Sequence, residues 1–276
     1  MSKRPPRHHE LPRYYLKAFA EPDRAGHVWV FDRGRPYEPG LRWGKDNPCS
    51  LGISRAGLHP DGYGRFEGAL QKQEHQADRA LAKARNGFAI NLTEKQEITR
   101  YIGMTWRRLR VREQQVRPLL KQRFEGMQLR QQALHAAELG QFTLARGLFA
   151  AHTSLSSSAA ETDLIRETLL IRHEKLEALL LQRDWSLLCS PIGHYFVTTD
   201  NPVVFDHASG VSRSHLLFPL SSRVLLLISP TTAKAHVESG QIPEDRVRSF
   251  NQLLIQGAAR NVFASQSERW IHESLR

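Results

Sequence analysis

The sequence is short of cysteine, long apolar runs and phosphate-binding glycine loops, and each shortage removes a class of protein. Cys49 and Cys189 are the only cysteines in 276 residues, and neither has a CxxC partner. A disulfide scaffold and a structural zinc of ribbon or finger type are therefore excluded. Two lone thiols suit a reducing compartment. The longest apolar run is Val224-Leu225-Leu226-Leu227-Ile228, whereas a membrane-spanning helix needs about 20 such residues. The basic residues before Glu10 lead into Leu11-Pro12-Arg13-Tyr14 and not into an apolar signal core. The expectation is a soluble cytoplasmic protein with no membrane partner. GxGxxG, GxxxxGK[ST] and GxSxG do not occur, so nucleotide-fold and hydrolase-elbow readings lack their motifs.

What the chain has in excess is positive charge. The formal net charge is +11. Residues 1–138 carry 26 basic and 15 acidic side chains, whereas 139–276 carry 13 of each, so the whole excess lies in the first half. It is densest where Arg100, Arg107, Arg108, Arg110, Arg112, Arg117, Lys121, Arg123 and Arg130 face only Glu113 and Glu125. A concentration of this kind attracts polyanions. Arg100, Arg107, Arg108, Arg110 and Arg117 are candidate phosphate contacts, and Trp106 among them is a candidate for stacking on a base. Pairing with the protein's own carboxylates is the plainer alternative.

The apolar pattern predicts one α+β domain over 1–276: a central helical bundle, an N-terminal hairpin and a late mixed or antiparallel sheet. An N-terminal segment, 8–45, packs on a helical part, about 64–184, and a strand-rich part, about 185–265. Leu11–Ala20 reads as a short helix and Gly26–Asp32 as a strand returning toward Tyr37 and Trp43. Four glycines and two prolines make 47–64 a loop. Arg65–Asn86 reads as a helix closed by Gly87. Thr93 and Gln96 have capping-box spacing for the next helix, which runs to about Arg117. There Ile98, Ile102, Leu109 and Val116 fall within about 40° of one another, opposite the arginines. Helical pattern continues over 119–139, 141–151 and 161–183. Strands follow at 185–189, 195–199, 203–206, 216–220 and 224–229, then a helix at 244–261 and a last strand at 262–265.

Three constellations carry candidate chemistry. His8 and His9 are adjacent imidazoles, able to act as ligands or proton carriers, or simply to be polar terminal residues. Glu67, Gln71, Glu74 and Asp78 fall within about 60° on one helix. Such a stripe can hold Mg²⁺ or Mn²⁺, and is equally an ordinary solvated face. Thr198-Thr199-Asp200-Asn201-Pro202 follows a strand, where Asx turns form and where sites are also built. His173-Glu174-Lys175-Leu176-Glu177 imitates HExxH without the second imidazole.

Taken together, the segments resemble bacterial domain-of-unknown-function family 4238. His8-His9-Glu10-Leu11-Pro12-Arg13-Tyr14-Tyr15-Leu16-Lys17-Ala18-Phe19 resembles its HHxxPxxYLxxF opening. Thr198–Pro202 resembles its TSDNP signature, with Thr199 in place of Ser. The strand Val28–Asp32, the Phe66-Glu67 and Glu74 helix, Phe218-Pro219-Leu220 and the helix around Asn251 resemble its other blocks. The resemblance spans about 8–265 and implies that His9, Pro12, Glu67, Asp200 and Asn201 belong to one pattern. It implies no mechanism.

Three functions follow as expectations. In a metal-dependent hydrolase of RNA or DNA, His8 or His9 is base or ligand, and Glu67 and Asp200 hold Mg²⁺ or Mn²⁺. Glu74 and Asn201 complete that catalytic set, and Arg107 and Arg110 position phosphates. In a non-enzymatic module for nucleic acid or an acidic partner, the His and DNP motifs only lock the fold. In a toxin or defence effector, the basic half steers a small anionic metabolite.

Overall fold

The computed structural model describes residues 11–24, 26–33, 49–52, 67–108, 174–206, 214–231 and 239–275. The chain divides into two compact units, Met1–Trp106 with Arg172–Arg276, and Arg107–Ile171. The described elements belong to the first, apart from the last two residues of one helix. In chain order they are α1 (Arg13–Lys17), β1 (His27–Asp32), β2 (Cys49–Gly52), α2 (Glu67–Arg85), α3 (Leu92–Arg108) and α4 (Glu174–Leu181). Then follow β3 (Asp184–Cys189), β4 (Thr198–Thr199), β5 (Val204–Phe205), β6 (Leu216–Pro219), β7 (Val224–Ser229) and β8 (Gly240–Gln241). α5 (Glu244–Gly257), β9 (Asn261–Ala264) and α6 (Arg269–Ser274) complete the set. The helices expected over 119–151 lie outside the described residues, as does all but the end of the one expected over 161–183. None of the described helices is long and apolar enough to cross a membrane.

Two sheets make the α+β class explicit. One has the order β2-β1-β9-β4, with every pair antiparallel. The other runs β5-β6-β7-β3-β8 and is antiparallel except for β3 with β8. β7 is buried along its whole length, which explains a continuous apolar run instead of alternation. Successive side chains of a strand face opposite ways. Leu217, Leu225 and Leu227 enter a core with Leu254 and Ile255 of α5. Phe218, the neighbour of Leu217, stacks on Tyr15 of α1 at 5.6 Å and meets Tyr101 of α3 edge-on at 6.0 Å. The five-stranded sheet is therefore covered on both faces.

Four local expectations change. β2 pairs with β1 inside the stretch expected to be a loop, and Tyr37 and Trp43, toward which the hairpin is expected to return, lie outside the described residues. Pairing of Val28 with Leu51 and Val30 with Cys49 supplies a tertiary partner that the Gly and Pro signals do not reveal. The box opening α3 is Asn91 with Glu94, not Thr93 with Gln96. Asn91 Oδ1 accepts from the Glu94 N–H at 2.9 Å, and Glu94 Oε2 accepts from the Asn91 N–H at 2.8 Å. Lys83 of α2 donates to both Glu94 oxygens at 2.8 Å, and these bonds hold that carboxyl below its usual range. This second anchor decides between two adequate boxes. Of the strand expected at 195–199, only Thr198 and Thr199 join a sheet, because Tyr195 O and Val197 N bond a side chain of α5 and Phe196 N donates to Ser222 O instead. α5 itself stops at Gly257, four residues early, because its last carbonyls are taken by side chains from outside the helix. As expected, α2 ends before Gly87 at φ +72°, the left-handed geometry that glycine adopts freely; the end of α3 expected near Arg117 lies outside the described residues, and β8 and α6 lie where the pattern predicts no element.

Gly257 gives the first prediction. A Cβ there would lie 2.7 Å from Val204 Cγ2, in the core. Gly257→Ala gains at most about 1 kcal/mol of helix propensity and is expected to lose about 1–3 kcal/mol to overpacking. Urea denaturation should show net destabilisation, relieved when Val204→Ala is added.

Candidate functional site

The DNP turn is built around one carboxylate. Asp200 follows β4, and its own N–H donates to Asn261 O at 3.0 Å, which brings its side chain against the turn from α5 to β9. Asp200 Oδ1 accepts from Ala259 N at 2.9 Å, and Oδ2 accepts from Arg260 N and Asn261 N, both at 2.8 Å. Three successive N–H groups in a turn form a concavity suited to an anion, and here the anion is the protein's own. Asp200 is only 6% exposed. Burial raises its pKa above the ordinary value, while the three N–H bonds and Arg33 pull the other way.

Its neighbours close the same junction. Asn201 Nδ2 donates to Gly257 O at 2.8 Å, and its own N–H bonds Thr199 Oγ1 at 3.1 Å. Arg33, just after β1, donates to Ala258 O at 2.8 Å and Ile255 O at 3.0 Å. These bonds satisfy carbonyls that the end of α5 leaves open. Arg260 grips Asp32 through two bonds, at 2.9 and 2.8 Å.

The opening motif reaches the same strand. Tyr15 donates its hydroxyl to Pro219 O at 2.7 Å and lies 2.9 Å from Thr198 Oγ1. Leu11, Tyr15, Leu16 and Phe19 are all buried. Burial pushes the Tyr15 phenol well above its usual range.

The remaining candidates are spread out. His8, His9, Arg110 and Arg117 lie outside the described residues. Glu67 begins α2, and Glu74 lies half-buried two turns along it. Arg100 is exposed on α3, and Arg107 and Arg108 end that helix. Trp106 packs edge-on against Phe205 at 5.8 Å. Among the described residues no group of three or more His, Cys, Asp or Glu is placed to hold a metal ion.

A second feature has no sequence signal. A cavity of about 160 Å³ opens between residues 193–197, α5 and residues 264–271. Its lining includes His194, Arg248, Ser265, Gln266 and Trp270. Asn251 of α5 fastens one wall: its Oδ1 accepts from Val197 N at 3.0 Å and its Nδ2 donates to Tyr195 O at 2.8 Å. The amide thus does for 195–197 what a neighbouring strand would do. At the rim, Glu244 bonds Arg248 at 2.6 Å and lies 3.3 Å from His194 Nε2. These residues come from three separate segments without motif or periodicity, so only the folded chain brings them together.

The chain matches the model of the family described as "Protein of unknown function (DUF4238)" over residues 7–268 and belongs to that family. No curated protein and no solved structure matches it.

The Asp200 geometry gives the second prediction. Asp200→Asn turns an amide donor toward N–H groups that need an acceptor. It is expected to lose about 2–4 kcal/mol of stability at neutral pH. The raised folded pKa means that the native state binds more protons than the unfolded chain above the ordinary value of 3.8. Wild-type stability therefore carries a component that falls as pH rises from 3.8 through the folded pKa. Asp200→Asn should lack that component, as chemical denaturation across the acid range will show.

Proposed function

We propose that this protein is a binding module for a polyanion, nucleic acid in the first instance, and that its DNP turn serves the fold. The observation that carries this reading is the state of Asp200. Both its oxygens already accept backbone N–H groups in a buried site. A carboxylate has about four lone-pair directions, and three of them are engaged. This makes Asp200 a poor ligand for Mg²⁺ or Mn²⁺ and a good lock for the α5–β9 junction. The charge supports the binding half of the reading. Nine Lys and Arg between Arg100 and Arg130 face two carboxylates, and phosphate neutralisation by such residues supplies most sequence-independent affinity.

The competing enzyme reading keeps Glu67 and Asp200 as holders of a divalent ion, with His8 or His9 as base. It requires cleavage of RNA or DNA that Mn²⁺ supports and EDTA stops.

Salt dependence separates a polyanion from a small anion, and metal-dependent cleavage separates the module from the enzyme. Fluorescence anisotropy with labelled RNA and duplex DNA should show affinity falling steeply between about 50 and 200 mM salt. Each of Arg107→Ala, Arg110→Ala and Arg117→Ala should lower the slope of log K against log salt by about 0.9 on duplex DNA or about 0.7 on single strands. No binding at low salt overturns the proposal. A gentle dependence favours a small anionic metabolite. Metal-dependent cleavage lost in Asp200→Ala at unchanged melting temperature establishes the enzyme instead.

A further inference from the structure

We propose that this protein associates with a second copy of itself through a two-fold contact, in which Ile192 of each copy enters the cleft between residues 193–197, α5 and residues 264–271 of the other. Ile192 is 92% exposed. A lone exposed apolar side chain is ordinary, but this one stands on a braced turn. His194 N donates to Pro191 O at 3.1 Å across the turn, and Gly193 has φ +85°, which glycine adopts freely. Arg223 Nη1 donates to Pro191 O at 2.8 Å and to His194 O at 3.0 Å. Ser190 N donates to Arg223 O at 2.9 Å. An apolar knob is thus held toward solvent with its backbone already fixed, so binding has little left to order.

The receiving cleft begins one residue away. Its volume is about 160 Å³, and Gly193 and His194 belong to its lining. Half-buried Tyr195 and Trp270 stand in its walls, and Val247 and Ala264 add apolar lining. Tryptophan and tyrosine are the side chains that most often anchor protein interfaces. A cavity of about 150 Å³ accepts a six-carbon ring, so an isoleucine side chain has room. The guanidinium of Arg223, which braces the turn, also lies over the Tyr195 ring at 5.6 Å. Asn251 fastens the backbone at 195 and 197. Knob and cleft wall therefore share one frame.

Symmetry identifies the occupant. When one face carries both a knob and a cleft, a two-fold axis midway between them sets each knob opposite the other copy's cleft, and the contact closes on itself. Charge selects the same face. The chain carries +11, so two copies repel except where local charges balance. Residues 191–197, 241–248 and 264–271 hold Glu244, Asp245 and Glu268 against Arg246, Arg248 and Arg269. Screening confines each charge to about 8 Å at physiological salt, so this face meets its own copy without net repulsion. It shares no residue with the arginine-rich stretch, and the inference does not depend on the nucleic-acid reading.

The test is sedimentation equilibrium of the nuclease-treated full chain at about 500 mM salt, which suppresses bridging by residual nucleic acid. The mass should rise from one copy to two, and no further, between about 1 and 200 μM, the weak end of the range for specific interfaces. Ile192→Asp should raise the dissociation constant at least about 25-fold, the loss that marks an anchoring residue. It should leave the melting temperature unchanged, because the side chain is exposed. Gln266→Trp fills the cleft and should weaken self-association likewise, with Glu268→Trp in its place should Gln266→Trp lower the melting temperature. Mixing the knob variant with the cleft variant should restore association, since the pair retains one intact knob and one intact cleft to receive it. The proposal is overturned if the wild-type chain stays monomeric to about 200 μM or grows past two copies. It is equally overturned if either substitution leaves the dissociation constant unchanged, or if the mixture associates no better than each variant alone.

Discussion

One carboxylate inside three consecutive backbone N–H groups is the contact on which the first sheet depends. Asp200 orients residues 259–261, and those residues turn the chain from α5 into β9. β9 is the strand that both β1 and β4 pair with. Without that turn the N-terminal strand has no late strand partner, because among the described residues the other strand that β1 pairs with is β2. Asn201 and Arg33 close the carbonyl end of the helix from opposite sides, and Asp32 with Arg260 ties the end of β1 to the same place. Desolvating this carboxylate is unfavourable, and the three N–H donors and Arg33 offset that cost only in part.

The two motifs most specific to the sequence meet at one hydroxyl. Tyr15 and Thr198 stand 183 positions apart and touch at 2.9 Å. Tyr15 also bonds Pro219 of the second sheet, so α1 staples the two sheets to each other. The buried contacts of Tyr15, Leu16, Phe19 and the DNP turn thus give these residues a part in folding. A motif can recur because it assembles the core and not because it performs a reaction.

How much was legible in the sequence depended on whether a residue's partner was near in the chain. β7 reads from its own five apolar residues, and α2 from its period and Gly87. The Asn91 box was missed because its deciding contact, Lys83, sits on the previous helix. β2 was missed because its glycine-rich surroundings signal a loop and its partner strand lies about twenty residues earlier. Asp200 stands out in the sequence, but a turn and a site share the same residue types, and its N–H partners at 259–261 lie about sixty residues away with no pattern to announce them. The cavity was invisible because His194, Asn251 and Ser265 belong to three segments with no common spacing.

Asn251 carries a mechanical consequence. A strand edge built from a side chain has no register to slide along, since a single amide offers one donor and one acceptor at a fixed separation. Residues 195–197 are therefore fastened to α5 at that one amide, while Phe196 N donates to Ser222 O between β6 and β7 at 2.8 Å. The opposite wall of the cleft, residues 265–268, connects β9 to α6 without belonging to a helix or a strand.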